Sequence, residues 1–308
     1  MKSITYRDLW QSLTSLYDKG EAQAIVRLLL DEAFGLTMAD VLCGNINDLT
    51  PTQKAQLDDM MRRLRDTEPI QDVLGQTEFG GRLFHVGQGV LIPRPETELL
   101  CQWIENDRQE KPKGNILDIG TGSGCIAVTL ALALSQTAVT AWDISDQALD
   151  IARQNAETLR ATITFEHVDA LNPPDDQRKW DVIVSNPPYV TQHESDTMHE
   201  NVLQHEPAEA LFVPNDDPLL FYRAIAHYAK KHLREGGALY FECSQYHIFQ
   251  TADLLESMGF HCVETMDDQF GKPRHLKASP PTPSLTPNPS PKGEGNGMTN
   301  MLTSYLHR

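Results

Sequence analysis

The stretch NILDIGTGSGCIAVTLALAL, residues 115–134, decides how the rest of the chain reads. A short β-prone run, Asn115–Ile119, passes into a loop with glycines at 120, 122 and 124, and then into an apolar helix-forming run. Glycine lets a backbone turn sharply and approach a ligand closely. The following helix, which the sequence starts near Ser123, points its free N–H groups into the same space. A dinucleotide site asks for GxGxxG, but Cys125 stands at the third glycine position and the spacing is GxGxG after Asp118. No lysine follows the glycines, so a triphosphate loop is absent. The expected ligand is a nucleoside with little or no phosphate.

Downstream, strand and helix patterns alternate. AVTAWD is a strand, SDQALDIARQNAETL a helix, ITFEHVD and WDVIVS strands, and DDPLLFYRAIAHYAKKHL a helix. The strand ALYFECS follows Gly236-Gly237, then the helix YHIFQTADLLESMG and the strands HCVETMDD and KPRHLKA. Such alternation implies a mostly parallel sheet with helices on both faces, an α/β fold of Rossmann type. Ligands on these sheets bind outside the carboxyl ends of the strands. Asp143 ends the second strand, where a carboxylate accepts hydrogen bonds from vicinal ribose hydroxyls. Asp169 and Ala170 end the third, in a place to meet an adenine amine. Taken singly, each of these is ordinary turn or cap chemistry. In order, on three consecutive strands, they point to a nucleoside site.

Upstream, residues 1–75 read as helical. Tyr6, Leu9, Trp10, Leu13, Leu16 and Tyr17 follow a 3/4 spacing, as do Ala24, Leu28, Leu29 and Ala33 before Gly35. Thr50 and Pro51 make an N-cap and first helical residue, and Asp58, Asp59, Arg62, Arg63 and Arg65 form the exposed face of that helix. Residues 76–95 read as a β-hairpin linker, 96–278 as the α/β domain, and 279–308 as a disordered tail with six prolines within 279–291.

The 308 residues carry a net charge of −17, which opposes a nucleic acid as the direct substrate. The five cysteines are scattered and form no CxxC pair, so neither a disulfide frame nor a zinc site is expected. No membrane span or signal peptide is apparent, and a cytoplasmic location is expected.

The fourth strand ends in SNPPYV, residues 185–190. Two prolines lack N–H groups and fix φ, so the peptide is a stiff turn. With the glycine loop, Asn186-Pro187-Pro188-Tyr189 resembles the class I S-adenosylmethionine methyltransferases that act on planar amide or amino nitrogens. The stretch EPIQDVLGQTEFGGRLFHVGQGVLIPRPETE, residues 68–98, is similar to the linker of the peptide chain release factor glutamine methyltransferases, the PrmC or HemK family. The helical N-terminal region, HEPAEALF at 205–212 and GKPRHLKA also fit that family. Asp217-Pro218-Leu219 stands where the family often has Asp-Gly-Leu, and the tail has no counterpart there.

The resemblance implies a class I methyltransferase domain with a mostly parallel seven-stranded sheet and a small all-helical substrate-binding domain. It also implies S-adenosylmethionine as cofactor and methylation of the N5 amide of the Gly-Gly-Gln glutamine in a release factor. The expected cofactor residues are Asp118, Gly120, Thr121, Gly122, Ser123, Gly124, Asp143, Asp169, Ala170 and Asn186. The expected catalytic residues are Asn186, Pro187 and Tyr189, and Pro188 joins them in binding substrate. The Asn186 oxygen and the Pro187 carbonyl would accept the two amide N–H bonds, and Tyr189 would offer a flat wall.

Rival readings share parts of this pattern. A glutamine methyltransferase of a large-subunit ribosomal protein would share the turn and the fold. An adenine-N6 DNA enzyme is opposed by the charge, and a noncatalytic nucleoside-binding module by the intact motifs. His193, His199 and His205 are six residues apart, about 240° around a helix, so they share no helical face and no metal site is expected. The resemblance puts Glu206 and Pro207 near the substrate. Ser123 and Ser244 lack a His–Asp arrangement, which opposes hydrolase chemistry. Arg94 and Glu98 are expected to pair and fix the linker. A monomer is expected.

Overall fold

A computed structural model describes residues 4–111, 113–195 and 205–281. The chain begins with helices α1 (Tyr6–Gln11), α2 (Lys19–Phe34), α3 (Met38–Cys43), α4 (Pro51–Arg65) and α5 (Ile70–Leu74). Their shared core includes Leu13, Val26, Leu29, Leu30, Leu57, Met61 and Leu64. Local chemistry sets the ends. Gly35 closes α2 at φ 65°, and Thr50 caps α4 in a reciprocal box with Gln53.

Helix α1 stops at Gln11, although the apolar spacing continues to Tyr17. The hydroxyls of Ser12 and Thr14 donate to the carbonyls of Leu9 and Gln11, and Asp18 caps the next helix. Leu13 remains fully buried from within that turn. Arg63 departs from the expected exposed face. It turns inward to Glu68 and donates to the carbonyls of Asp72 and Val73.

Strands β1 (Gln76–Phe79) and β2 (Arg82–His85) form the hairpin, and α6 (Pro95–Arg108) leads into the second unit. There β3 (Gly114–Ile119), α7 (Cys125–Ala133), β4 (Thr137–Asp143), α8 (Asp146–Leu159), β5 (Ile163–His167) and β6 (Trp180–Ser185) follow in turn. Strands β7 (Val190–Thr191) and β8 (Phe212–Val213) make a two-residue parallel ladder. Then come the helix Leu220–His232, β9 (Leu233–Glu242), the helix Ile248–Ser257, β10 (His261–Asp267) and β11 (Pro273–Ser279). The sheet order is β10-β11-β9-β6-β3-β4-β5. Within this sheet, among the described residues, only the pairs made by β11 are antiparallel.

Strand β9 begins before the glycines that were expected to precede it. Gly236 takes φ 72°, and a Cβ on Gly237 would lie 3.0 Å from the carbonyl oxygens of Asp181 and Arg234. Strand β11 runs through Ser279, the first residue of the expected tail, and residues 282–308 lie outside the described residues.

Besides its buried Phe79 and Phe84, the hairpin is fastened by a side chain of α8. Asn155 on α8 is fully buried. Its Oδ1 accepts from His85 N at 2.6 Å, and its Nδ2 donates to His85 O at 2.9 Å and Ser123 O at 2.8 Å. Replacing it by alanine removes three bonds and leaves the buried Ser123 carbonyl and the partly buried His85 backbone without this partner. Asn155→Ala is expected to lower stability by about 2–4 kcal/mol. Urea unfolding followed by circular dichroism checks this, with a lower midpoint and an unchanged slope expected.

Candidate active site

The carboxyl ends of β3, β4, β5 and β6 open onto a cavity of about 570 Å³. At the end of β3 the chain needs a conformation that side chains oppose. Gly120, Gly122 and Gly124 take φ of 73°, 55° and 80°. A Cβ on Gly124 would also sit 3.0 Å from Ala152 Cβ, so this glycine lets α7 pack on α8. Gly124 is the N-cap, and α7 begins at Cys125, two residues later than expected.

The loop is bonded from beneath. Gly120 N and Thr121 N both donate to Trp142 O at 2.9 Å. The Thr121 hydroxyl donates to Asp118 Oδ2 at 2.6 Å. Gly122 N donates to Asp143 Oδ2, and Ser145 N to Asp143 Oδ1, each at 2.9 Å. Asp118 is fully buried, and burial above all, with the nearby Asp143 adding, pushes its carboxyl up to about 7 against the Thr121 hydrogen bond. Asp118 Oδ1 and Ser123 Oγ are buried without a hydrogen-bond partner.

The expected cofactor residues separate into two groups. Gly120, Thr121, Gly122, Ser123, Asp143, Asp169, Ala170 and Asn186 line the cavity. Asp118 and Gly124 do not; they shape the loop from behind. Both Asp169 oxygens accept bonds within their own turn, from Leu171 N at 2.8 Å and Asn172 Nδ2 at 2.6 Å.

At the end of β6 the Ser185 hydroxyl donates to Ile119 O at 2.6 Å and ties the two strand ends together. Asn186, Pro187 and Pro188 then line the cavity. Tyr189 does not. It packs against the sheet core and its hydroxyl lies 3.4 Å from Glu242 Oε1, so the aromatic walls of the cavity are Phe212 and Phe221.

Several lining or supporting residues are not among the expected cofactor or catalytic residues. Gly89, Val90, Leu91, Pro93 and Arg94 of the linker form one wall, held by a 2.6 Å bond from Gln147 Nε2 to Gln88 O. Thr97 also lines the cavity; its hydroxyl donates to Glu242 Oε2 at 2.7 Å, and Asn186 Nδ2 lies 3.5 Å from its Oγ1. Burial raises the Glu242 carboxyl, with the Thr97 hydrogen bond and Arg274 opposing. A charged residue ending the apolar run ALYFE was the available clue to Glu242.

Arg94 pairs with Glu206 at 2.5 Å, not with Glu98. It is the extended residue before Pro95, at φ −104° and ψ 145°, so it lies off the helix on which an i,i+4 pair would form. Glu206 is buried and its carboxyl is raised by that burial; Asp72 close by is pushed up to about 6 for the same reason. His205 contacts Asp66 O at 3.2 Å and Thr67 Oγ1 at 3.3 Å, which joins this segment to the helical unit. Among the described residues no cluster of His, Cys, Asp or Glu could hold a metal; His199 lies outside them.

The glycine loop, the strand-end acids and the Asn-Pro-Pro turn around one cavity are the arrangement of a class I S-adenosylmethionine-dependent methyltransferase. A family model described as the methyltransferase small domain matches residues 95–213, and one described as the PrmC N-terminal domain matches residues 9–75. A curated protein of Bacteroides thetaiotaomicron named release factor glutamine methyltransferase is 43% identical over 270 residues, 87% of this chain and 96% of that protein. Proteins of the same name from Flavobacterium psychrophilum and Streptococcus pneumoniae are 41% and 35% identical, covering 95% and 92% of their lengths. The chain belongs to the release factor glutamine methyltransferase family.

The raised Asp118 carboxyl has a consequence for stability. The unfolded chain ionises this group near the ordinary carboxylate value of 3.8, whereas the fold holds its proton to about 7. Its effect therefore opposes folding increasingly as pH rises from about 4 to about 7, and stays constant above. Asp118→Asn keeps an acceptor for Thr121 and removes the buried charge. In the absence of ligand it is expected to melt higher than the unsubstituted chain at pH 8 and to lose most of that gain at pH 5, as read by differential scanning calorimetry.

Proposed function

We infer that this chain transfers a methyl group to the side-chain amide N5 of the glutamine in the Gly-Gly-Gln motif of peptide chain release factors. One observation carries the reading. Asn186 and Pro187 line the same cavity as the glycine loop, in a chain whose curated relatives bear that activity in their name. S-adenosylmethionine, the cofactor, supplies the methyl already activated on a sulfonium.

The cavity's chemistry fits a nucleoside-bearing cation. The backbone of Gly120–Gly124 can come close to it, Asp143 keeps lone pairs for ribose hydroxyls, and Asp169 with Ala170 can meet the adenine. The Ser123 side chain is buried at the wall.

The substrate amide is a poor nucleophile because its lone pair is delocalised into its carbonyl. Asn186 Oδ1 and the Pro187 carbonyl each accept one amide N–H in this reading. Together they orient the nitrogen lone pair and stabilise the positive charge that grows on it. The fixed φ of Pro187 and Pro188 holds that carbonyl still. No strong base is required, since the proton leaves after the methyl arrives. A neutral asparagine suits the task better than aspartate, whose charge would have to be desolvated.

Tyr189 supports the turn from behind through its packing and its contact with Glu242. The helical unit, residues 1–75, and the hairpin linker, 76–95, grip the protein substrate, while 96–278 performs the chemistry. We place the protein in the cytoplasm as a monomer, without a nucleic acid as direct substrate. Among the described residues no helix is long and apolar enough to cross a membrane.

Labelled S-adenosylmethionine incubated separately with release factor, ribosomal subunits and DNA tests the reading. Label is expected on the Gly-Gly-Gln glutamine, located by peptide mass spectrometry. Label on DNA or at any other residue would overturn it. Asn186→Ala is expected to keep cofactor affinity within about threefold and to lose about 100-fold or more in turnover. Equal loss of both would make Asn186 a cofactor or folding residue.

A further inference from the structure

We propose that Glu242 and Thr97 form a one-way hydrogen-bond relay that fixes which end of the Asn186 carboxamide faces the substrate. The inference rests on the methyl-transfer reading, in which Asn186 Oδ1 is an acceptor for the substrate amide.

An asparagine side chain has two orientations of nearly the same shape. One presents an acceptor and the other a donor. If Asn186 turned its NH₂ toward the cavity, donor would meet donor and the substrate amide would be repelled. Something must therefore choose the orientation, and proline rigidity acts on the backbone alone.

The choice follows from counting protons. Thr97 Oγ1 lies 2.7 Å from Glu242 Oε2. A hydroxyl has one proton, and here it is donated to Glu242 Oε2, an acceptor whether the carboxyl is ionised or carries its proton on Oε1. The Thr97 proton is thus committed to Glu242, which leaves only lone pairs facing Asn186. Asn186 Nδ2 lies 3.5 Å from that oxygen, at the outer limit of hydrogen bonding, and can only donate to it. With the nitrogen held there, Oδ1 is the end left for the cavity that Asn186 lines.

Burial makes the relay hard to replace. Thr97 is 3% exposed and Glu242 1%, so bulk water does not compete for these bonds. The other Glu242 oxygen, Oε1, lies 3.4 Å from the Tyr189 hydroxyl. One carboxyl group therefore meets Tyr189 directly and Asn186 through Thr97. The relay brings together the first turn of α6, the last residue of β9 and the residue after β6. Glu242 and Thr97 are positioning residues; neither is assigned to touch the reacting atoms.

Thr97→Val keeps the shape and removes the hydroxyl. It is expected to lower kcat by about 10–100-fold while the calorimetric Kd for S-adenosylmethionine and the KM for release factor stay within about threefold. Thr97→Ser restores the hydroxyl and is expected to recover kcat to within about threefold. Glu242→Gln can donate to Thr97 and reverse the relay, so it is expected to fall with Thr97→Val. In an Asn186→Ala background, Thr97→Val is expected to cost nothing further, because no carboxamide remains to be oriented.

Three outcomes overturn the relay: unchanged kcat in Thr97→Val, a serine variant as slow as the valine variant, or a valine penalty undiminished in the Asn186→Ala background. If the valine variant does not fold, Thr97→Ala replaces it with the same expected loss and the same serine rescue. Release factor left unmethylated by the unsubstituted chain would remove the methyl-transfer reading itself. Methylation by that chain together with an undiminished Thr97→Val removes the relay alone.

Discussion

The buried carboxamide of Asn155 holds together three pieces that no covalent segment joins closely. It is bonded on both sides of His85, at the end of the hairpin, and to the carbonyl of Ser123, inside the glycine loop. The linker and the glycine loop are therefore positioned from the same atom group on α8. The bond to Ser123 O is buried and the two to His85 are partly so, and an unmade polar bond out of water costs more than a made one gains. That asymmetry makes the arrangement nearly all-or-none. The loop's positive-φ glycines, the bonds to Trp142 O and the wall made by residues 89–94 presuppose that α8 sits where it does.

The electrostatics of the interior follow one pattern. Asp72, Asp118, Glu206 and Glu242 are buried, and burial raises each of their carboxyls. Donors and cations oppose this at several of them: Thr121 at Asp118, Arg94 at Glu206, Thr97 and Arg274 at Glu242. A fold that keeps acids in such places is strained as pH rises.

Much of this molecule is legible in its sequence because the signals are local. The glycines of residues 120–124, the alternation of strands with helices, Thr50-Pro51 and Gly35 each act within a few residues, and the structure carries them where the spacing puts them. What escapes is long-range. Arg94 finds Glu206, 112 residues away, instead of Glu98. Thr97 finds Glu242 across 145 residues, and Asn186 finds Thr97 across 89. Tyr189 reads as a wall from its place beside the prolines, but its ring goes to the sheet core. Periodicity misleads for a related reason at Leu13, whose burial continues the helical spacing after the helix itself has ended. Side-chain direction and partner choice depend on which elements the topology brings together, and spacing along the chain does not encode that.

The two family-model matches leave residues 76–94 between them, yet the end of that interval forms part of the cavity wall. The family matches and the cavity thus divide the chain at different places. A fragment beginning at the start of the methyltransferase match would retain the glycine loop and the Asn-Pro-Pro turn but lack the partition from Gly89 to Arg94, and its ligand chamber would stand open on one side. The segment between the two matches belongs, in physical terms, to the wall of the cavity.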